Sequence, residues 1–276
     1  MFNIGEKIEE AVQGWLEGAV ETFLNFLNSV LFNYDNLAGY ARDAYNLMVL
    51  VGGILIVSLC LGKIITQILD EGQGSQQANI WFTIEQSIKG SALLIIMPVT
   101  IAFSMNSVVL PIGNYMLDNL SEIGVTGIQN MMDSEGFQEV FNNVIGVILT
   151  WLFMAVVIGF FCFKVILAQG NLIMNEILSP LVAVSIVTDK YNFVEDWWKD
   201  ILMHCVTIIV LTISMVLFAE ALMMTAEGGA VMQVPALIAS GGLVITGPTL
   251  VKKIWYKSGI GRSGSALAMK ALMIRK

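Results

Sequence analysis

From residue 44 onward the chain alternates between long apolar runs and short polar interruptions. A helix rises about 1.5 Å per residue, so roughly 20 residues cross a hydrocarbon core ~30 Å thick. Five runs meet that length: 44–68, 89–112, 144–168, 201–224 and 234–250. Residues 1–34 differ. There Ile8, Val12, Trp15, Ala19, Phe23, Phe26 and Val30 recur every three or four positions, with Glu6, Glu9, Glu10, Gln13, Glu17, Glu21 and Asn25 between them. That spacing predicts an amphipathic helix that lies on a surface or packs on a partner instead of spanning. Its polar face is acidic and unfavourable against anionic headgroups, which favours protein contact or the outer face of the membrane.

A sixth stretch, 170–188, is apolar overall but carries Asn171, Asn175, Glu176, Ser179 and a central Pro180. Asn171, Asn175 and Ser179 follow one another at four-residue spacing, which makes one helical face polar. Trp197 and Trp198 come shortly after it and suit a membrane interface.

Composition fixes the class. Of 276 residues, 56% are hydrophobic and 13% charged, and the mean hydropathy is +0.75. An ordinary soluble domain carries roughly 25% charged residues. The expected fold is therefore all-α, a polytopic helical membrane protein with about five transmembrane helices. The opening 30 residues hold acids and lack a short basic segment ahead of an apolar core, so no cleavable signal peptide is expected. The net charge of −8 argues against nucleic-acid binding by the bulk of the chain.

Charge distribution then decides the status of 170–188. The segment 113–143 has five carboxylates, Asp118, Glu122, Asp133, Glu135 and Glu139, and no Lys or Arg. The tail 251–276 has seven basic residues, Lys252, Lys253, Lys257, Arg262, Lys270, Arg275 and Lys276, and no acid. Lys and Arg beside spans stay cytoplasmic. With 170–188 not counted as a span, Lys63, Lys89, the segment from Lys164 to Lys199 and the tail share one side. The acidic 113–143 segment and the 224–233 loop take the other. The expected organisation is an external N-terminal segment over 1–43, two spans within 44–112 and an acidic external loop at 113–143. Three further spans then lie within 144–250, with 170–200 re-entrant or interfacial, before a cytoplasmic tail at 251–276.

Candidate chemistry is sparse. No zinc motif, P-loop, nucleotide fingerprint or nucleophile elbow is present, so neither an enzyme activity nor a cofactor or metal is expected. Cys60, Cys162 and Cys205 lack metal or disulfide spacing and read as small apolar packing residues. Lys63 and Lys164 read as interfacial anchors, and His204 as an interfacial histidine. Glu176, beside the Asn175/Ser179/Pro180 interruption, is the leading polar candidate. Asn171, Asn175, Glu176, Ser179 and Pro180 are read either as lining a polar cavity or subunit interface, or as ordinary interfacial residues. Ala236, Ser240, Gly241 and Gly242 let another helix approach closely, within one subunit or between subunits.

Two local stretches carry a resemblance. One is Asn175-Glu176-Ile177-Leu178-Ser179-Pro180-Leu181 leading to Trp197-Trp198-Lys199. The other is Gly247-Pro248-Thr249-Leu250 running to Lys257-Ser258-Gly259-Ile260-Gly261. With the five spans, the amphipathic N-terminus and the large loop, the chain resembles the TrbL-type polytopic inner-membrane subunits of type IV secretion and conjugative transfer systems. The resemblance covers most of the chain in architecture. It implies a non-enzymatic channel or scaffold component in the bacterial cytoplasmic membrane, multi-pass, with the N-terminus outside and the C-terminus cytoplasmic. It further implies a homo-oligomeric ring contacting other secretion-system subunits, among them cytoplasmic ATPases that supply the energy. Single-stranded DNA or its relaxase would pass through or beside it. The basic tail would meet the ATPases, passing DNA or the phospholipid membrane. The competing class is a small-molecule transporter or permease, which would need a midplane site enclosed within one chain.

Overall fold

A computed structural model describes residues 39–74, 79–116, 144–188, 192–223 and 230–257, together with Gly18. The expected amphipathic helix over 1–34, most of the acidic loop and the tail beyond residue 257 lie outside the described residues.

Five helices account for the described chain, and no strand occurs among these residues. They are α1 (Tyr40–Gly72), α2 (Ile80–Ser104, continuing to Met116), α3 (Val144–Ser185), α4 (Val194–Met223) and α5 (Ala230–Lys257). Each contains a stretch long and apolar enough to cross a membrane, so this is a polytopic helical membrane protein with five such helices. Each runs past its expected bounds at one end or both.

Local sequence sets the ends of the first two. Gly39 (φ 59°) and Gly74 (φ 69°) flank α1 in the left-handed region, where a residue without Cβ incurs no steric cost. Asn79 caps α2, its side-chain oxygen accepting from the Phe82 N–H at 3.2 Å.

Two expectations change here. The second span runs past residue 112, and Pro111 does not stop it. It sits inside α2, two residues after the end of a π-helical segment, Met105–Val109. A proline cannot donate to the carbonyl four residues back, and its ring crowds that carbonyl; a widened turn just before it relieves both problems. The stretch 170–188 is likewise no separate re-entrant or interfacial helix. Its residues to Ser185 continue the third span without a break as the C-terminal part of the 42-residue α3. Such a helix is about 63 Å long, roughly twice a hydrocarbon core, so a single crossing leaves much of it beyond the apolar layer. Five helices able to cross remain, one of them longer than a crossing requires.

The helices form two compact units. The first contains residues 106–168 and 206–257, the second 35–105 and 169–205, so α2, α3 and α4 each contribute to both. In the first unit Val157, Phe161, Leu211, Phe218 and Val244 are fully buried. Phe153 meets Phe218 edge-on, with ring centroids 6.3 Å apart.

The second unit is built on glycines. α1 and α2 lie antiparallel, with Gln67 Nε2 donating to Thr83 Oγ1 at 3.1 Å. The Pro180–Val187 stretch settles against Gly52 of α1 and Gly90 of α2. A Cβ built on Gly52 would stand 3.1 Å from Pro180 Cβ and 3.2 Å from Leu94 Cδ2, and one on Gly90 would stand 3.3 Å from the Ala183 carbonyl oxygen. Small residues let backbones approach to this distance, which is how helices gain packing energy where lipid removes the hydrophobic drive. Opposite this contact, Leu50, Ile54, Val57 and Leu61 of α1 are exposed, as side chains facing acyl chains would be.

Candidate functional site

Every proline of the chain lies within a helix, and each deprives the carbonyl four residues earlier of its helical donor. At depth such carbonyls need another partner. Pro98 frees Leu94, whose carbonyl accepts from the Tyr45 hydroxyl of α1 at 3.3 Å. Pro180 frees Glu176, whose carbonyl accepts from the Ser179 hydroxyl at 2.8 Å. In the first unit the Lys164 ammonium donates to the Ile245 carbonyl, in the turn that precedes Pro248. Lys164 is thus a tether between α3 and α5, where the sequence alone suggested an interfacial anchor.

The second unit concentrates the polar groups singled out from sequence. Asn175 Nδ2 donates to Asp200 Oδ2 at 2.7 Å, joining α3 to α4. The same carboxylate oxygen lies 3.5 Å from His204 Nε2, one helical turn further along α4. Trp197 Nε1 donates to the Asn175 main-chain oxygen at 3.0 Å. At the end of α3 the Ser185 hydroxyl accepts from the Phe193 N–H at 3.0 Å and fixes the turn into α4. Glu176, Ser179 and Ser185 are buried, with Ser179 at 0% exposure, so the polarity is enclosed by protein.

The expected polar face therefore divides. Ser179 and Pro180 take part in buried packing, Glu176 is buried beside them, Asn175 is half-buried and bonded across helices, and Asn171 is exposed. Trp197 also departs from expectation: it is buried and hydrogen-bonded, while its neighbour Trp198 keeps 38% exposure. Sequence reading missed the pairing of His204 with Asp200. The available signal was their four-residue spacing on α4, which puts both on one face.

In the first unit Gly241 of α5 packs within the subunit. A Cβ on Gly241 would lie 2.6 Å from Phe153 Cζ and 3.0 Å from Val157 Cγ2, whereas Gly242 meets open space. Ser240 is buried and donates to the Ala236 carbonyl at 2.7 Å.

Lys252 and Lys253 are exposed at the end of α5, and Lys257 is its last residue. Arg262, Lys270, Arg275 and Lys276 lie outside the described residues. Two lysines early in their helices are neutralised nearby: Lys89 of α2 pairs with Glu85 at 2.6 Å and Lys199 of α4 with Glu195 at 2.8 Å, both across one helical turn. The cysteines are free; Cys205 is buried and the other two half-buried. No group of His, Cys, Asp and Glu side chains suited to a metal occurs among the described residues. No family model, curated protein or solved structure matches the chain.

Proposed function

We propose that this membrane protein is a non-enzymatic channel or scaffold subunit of a type IV secretion machine, assembling with copies of itself in the cytoplasmic membrane. The observation that carries the reading is the contact between the two ends of the first stretch that resembles the TrbL-type subunits. Asn175 and Trp197, from the two ends of that stretch, are directly hydrogen-bonded, and Asn175 also reaches Asp200 next to Trp197-Trp198-Lys199. Segments 22 residues apart that build one structural feature support a shared architecture better than a chance match of either would.

Burial favours an assembly component over a self-contained carrier. Only 11% of the apolar window of α1 is buried, against 61% for α4, so the described residues cover α1 far less and leave more of it to lipid or to neighbouring subunits. A carrier would wrap its spans about an enclosed midplane site. In this reading the exposed Lys252 and Lys253 begin a cytoplasmic basic strip that meets ATPases, DNA or anionic lipid.

The test is deletion of the gene in its host together with sizing of the purified protein in a mild detergent. Loss of conjugative transfer, restored by the gene in trans, and a ring or larger assembly are expected. Normal transfer with a stable monomer overturns the proposal. A ligand-dependent thermal shift of that monomer would establish the transporter class instead.

A further inference from the structure

Lys164 carries a charge that no carboxylate of the described residues answers. Its ammonium donates to the Ile245 carbonyl of α5, a neutral acceptor that takes one of three N–H donors and leaves the charge uncompensated. No ion pair among the described residues includes Lys164, Lys252 or Lys253. The helices that meet here are free of acid at this level. None occurs on α3 before Glu176, or anywhere in 230–276. α4 packs on α5 through Val210 and Ser214, which lie against Gly247, and it has no carboxylate between Asp200 and Glu220. α3 and α5 run parallel, since Gly241 lies against Phe153 and Val157 while Ile245, further along α5, meets Lys164, further along α3. Lys252 follows Ile245 at i+7 and so shares its face of α5, roughly 10 Å further along. Lys253 stands beside it, and both are exposed. The apolar stretch of α5 ends at Leu250, so the three lysines gather where a span meets the headgroup layer.

We propose that Lys164, Lys252 and Lys253 hold the phosphate of an anionic phospholipid between α3 and α5. Lys164 is the residue that selects lipid. It is half-buried, and Phe163, Ile166 and Leu167 beside it on α3 and Leu250 on α5 are exposed. A ligand that brings a phosphate to Lys164 must therefore also cover apolar surface. A phospholipid does both, with its phosphate on the ammonium groups and its acyl chains along those side chains. Nucleic acid or an ATPase would reach Lys252 and Lys253 from the aqueous side and leave Lys164 untouched. The site rests on the reading that Lys252 and Lys253 open a cytoplasmic basic strip, and it chooses lipid for them; it needs no role in secretion.

The test titrates the full chain in a mild detergent with fluorescently labelled phosphatidylglycerol, and with labelled phosphatidylcholine as the zwitterionic control, reading binding as anisotropy. Phosphatidylglycerol should bind the more tightly. Lys164→Gln and Lys252→Gln should each weaken it by about fivefold, the factor equivalent to the ~1 kcal/mol that one basic residue contributes at an anionic surface. Neither should change the binding of phosphatidylcholine, and Lys164→Arg, which keeps the charge, should retain affinity for phosphatidylglycerol. Equal affinity for the two lipids overturns the site, as does undiminished affinity in Lys164→Gln. Lys164 also tethers two helices, so where Lys164→Gln fails to fold, Lys252→Gln and Lys253→Gln at exposed positions decide, and unchanged affinity in both refutes the site. A labelled single-stranded oligonucleotide supplies the competing arm. If its binding falls in Lys164→Gln, the lysines form a nucleic-acid site and the lipid proposal is overturned. Lipid binding is read on the purified chain and transfer in cells, so either can fail without the other.

Discussion

The Ser179 hydroxyl donates to the Glu176 carbonyl at 2.8 Å, the one carbonyl in that turn of α3 that Pro180 cannot serve. Serine and proline therefore act as a pair. The ring removes a backbone bond and the preceding side chain replaces it, so the helix passes through residue 180 and on to Ser185. Ser179→Ala should lower stability by about 1 kcal/mol, seen as a reduced Tm in detergent. In a Pro180→Ala background the backbone N–H is restored, and the same substitution should then cost almost nothing. An equal loss in both backgrounds would show that Ser179 does not act through the Glu176 carbonyl.

That pairing also explains what the sequence left illegible. The five apolar stretches were plain because span length is a property of composition. The continuity of α3 was not. A proline flanked by Asn175, Glu176 and Ser179 looks like an interruption, and whether the freed carbonyl finds a donor depends on a rotamer that no periodicity encodes. Gly52 and Gly53 are likewise equal in sequence, yet only Gly52 meets Pro180. Tyr45 and Leu94 are 49 residues apart, so their bond is a product of helix register. The Asp200–His204 spacing was there to read, but only the partner helix, through Asn175, gives it meaning.

Gly52→Ala should destabilise where Gly53→Ala does not. The new methyl at residue 52 would press on the Pro180 backbone oxygen at 3.2 Å as well as on two side chains, and backbone yields poorly. Overpacking of this kind costs about 1–3 kcal/mol. At residue 53 nothing lies within 4 Å, and replacing glycine in a helix is stabilising by up to ~1 kcal/mol. Thermal unfolding of the two variants side by side measures the difference. Equal Tm values would mean that α3 does not seat on α1 at this point.

Trp197→Phe keeps an aromatic body in the buried position and removes only the Nε1–H that serves Asn175. The expected loss is about 1 kcal/mol. Asp200→Ala should cost at least as much, because it strands the half-buried Asn175 amide and leaves His204 without its neighbouring carboxylate. Asp200→Asn retains an oxygen for Asn175 and should fall between wild type and Asp200→Ala. If Asp200→Asn and Asp200→Ala unfold at one temperature, the Asn175 bond contributes nothing to stability.

Topology supplies the remaining prediction, and it rests on charge. With five crossings the 113–143 segment and the 251–276 tail should lie on opposite sides, and their charge predicts the acidic one outside and the basic one in the cytoplasm. Single cysteines at positions 134 and 263, in a chain whose Cys60, Cys162 and Cys205 are replaced by serine or alanine, report the two sides independently. A membrane-impermeant maleimide added to intact cells or spheroplasts should modify position 134 alone. Position 263 should react only after the membrane is opened. Each basic residue near the cytoplasmic face gains about 1 kcal/mol from anionic lipid, so seven in the tail hold this orientation strongly, and replacing one or two should not invert it. Labelling of both positions from the same side would require an even number of crossings. It would then point to α3, the one helix about 63 Å long, as the place where a crossing had been miscounted.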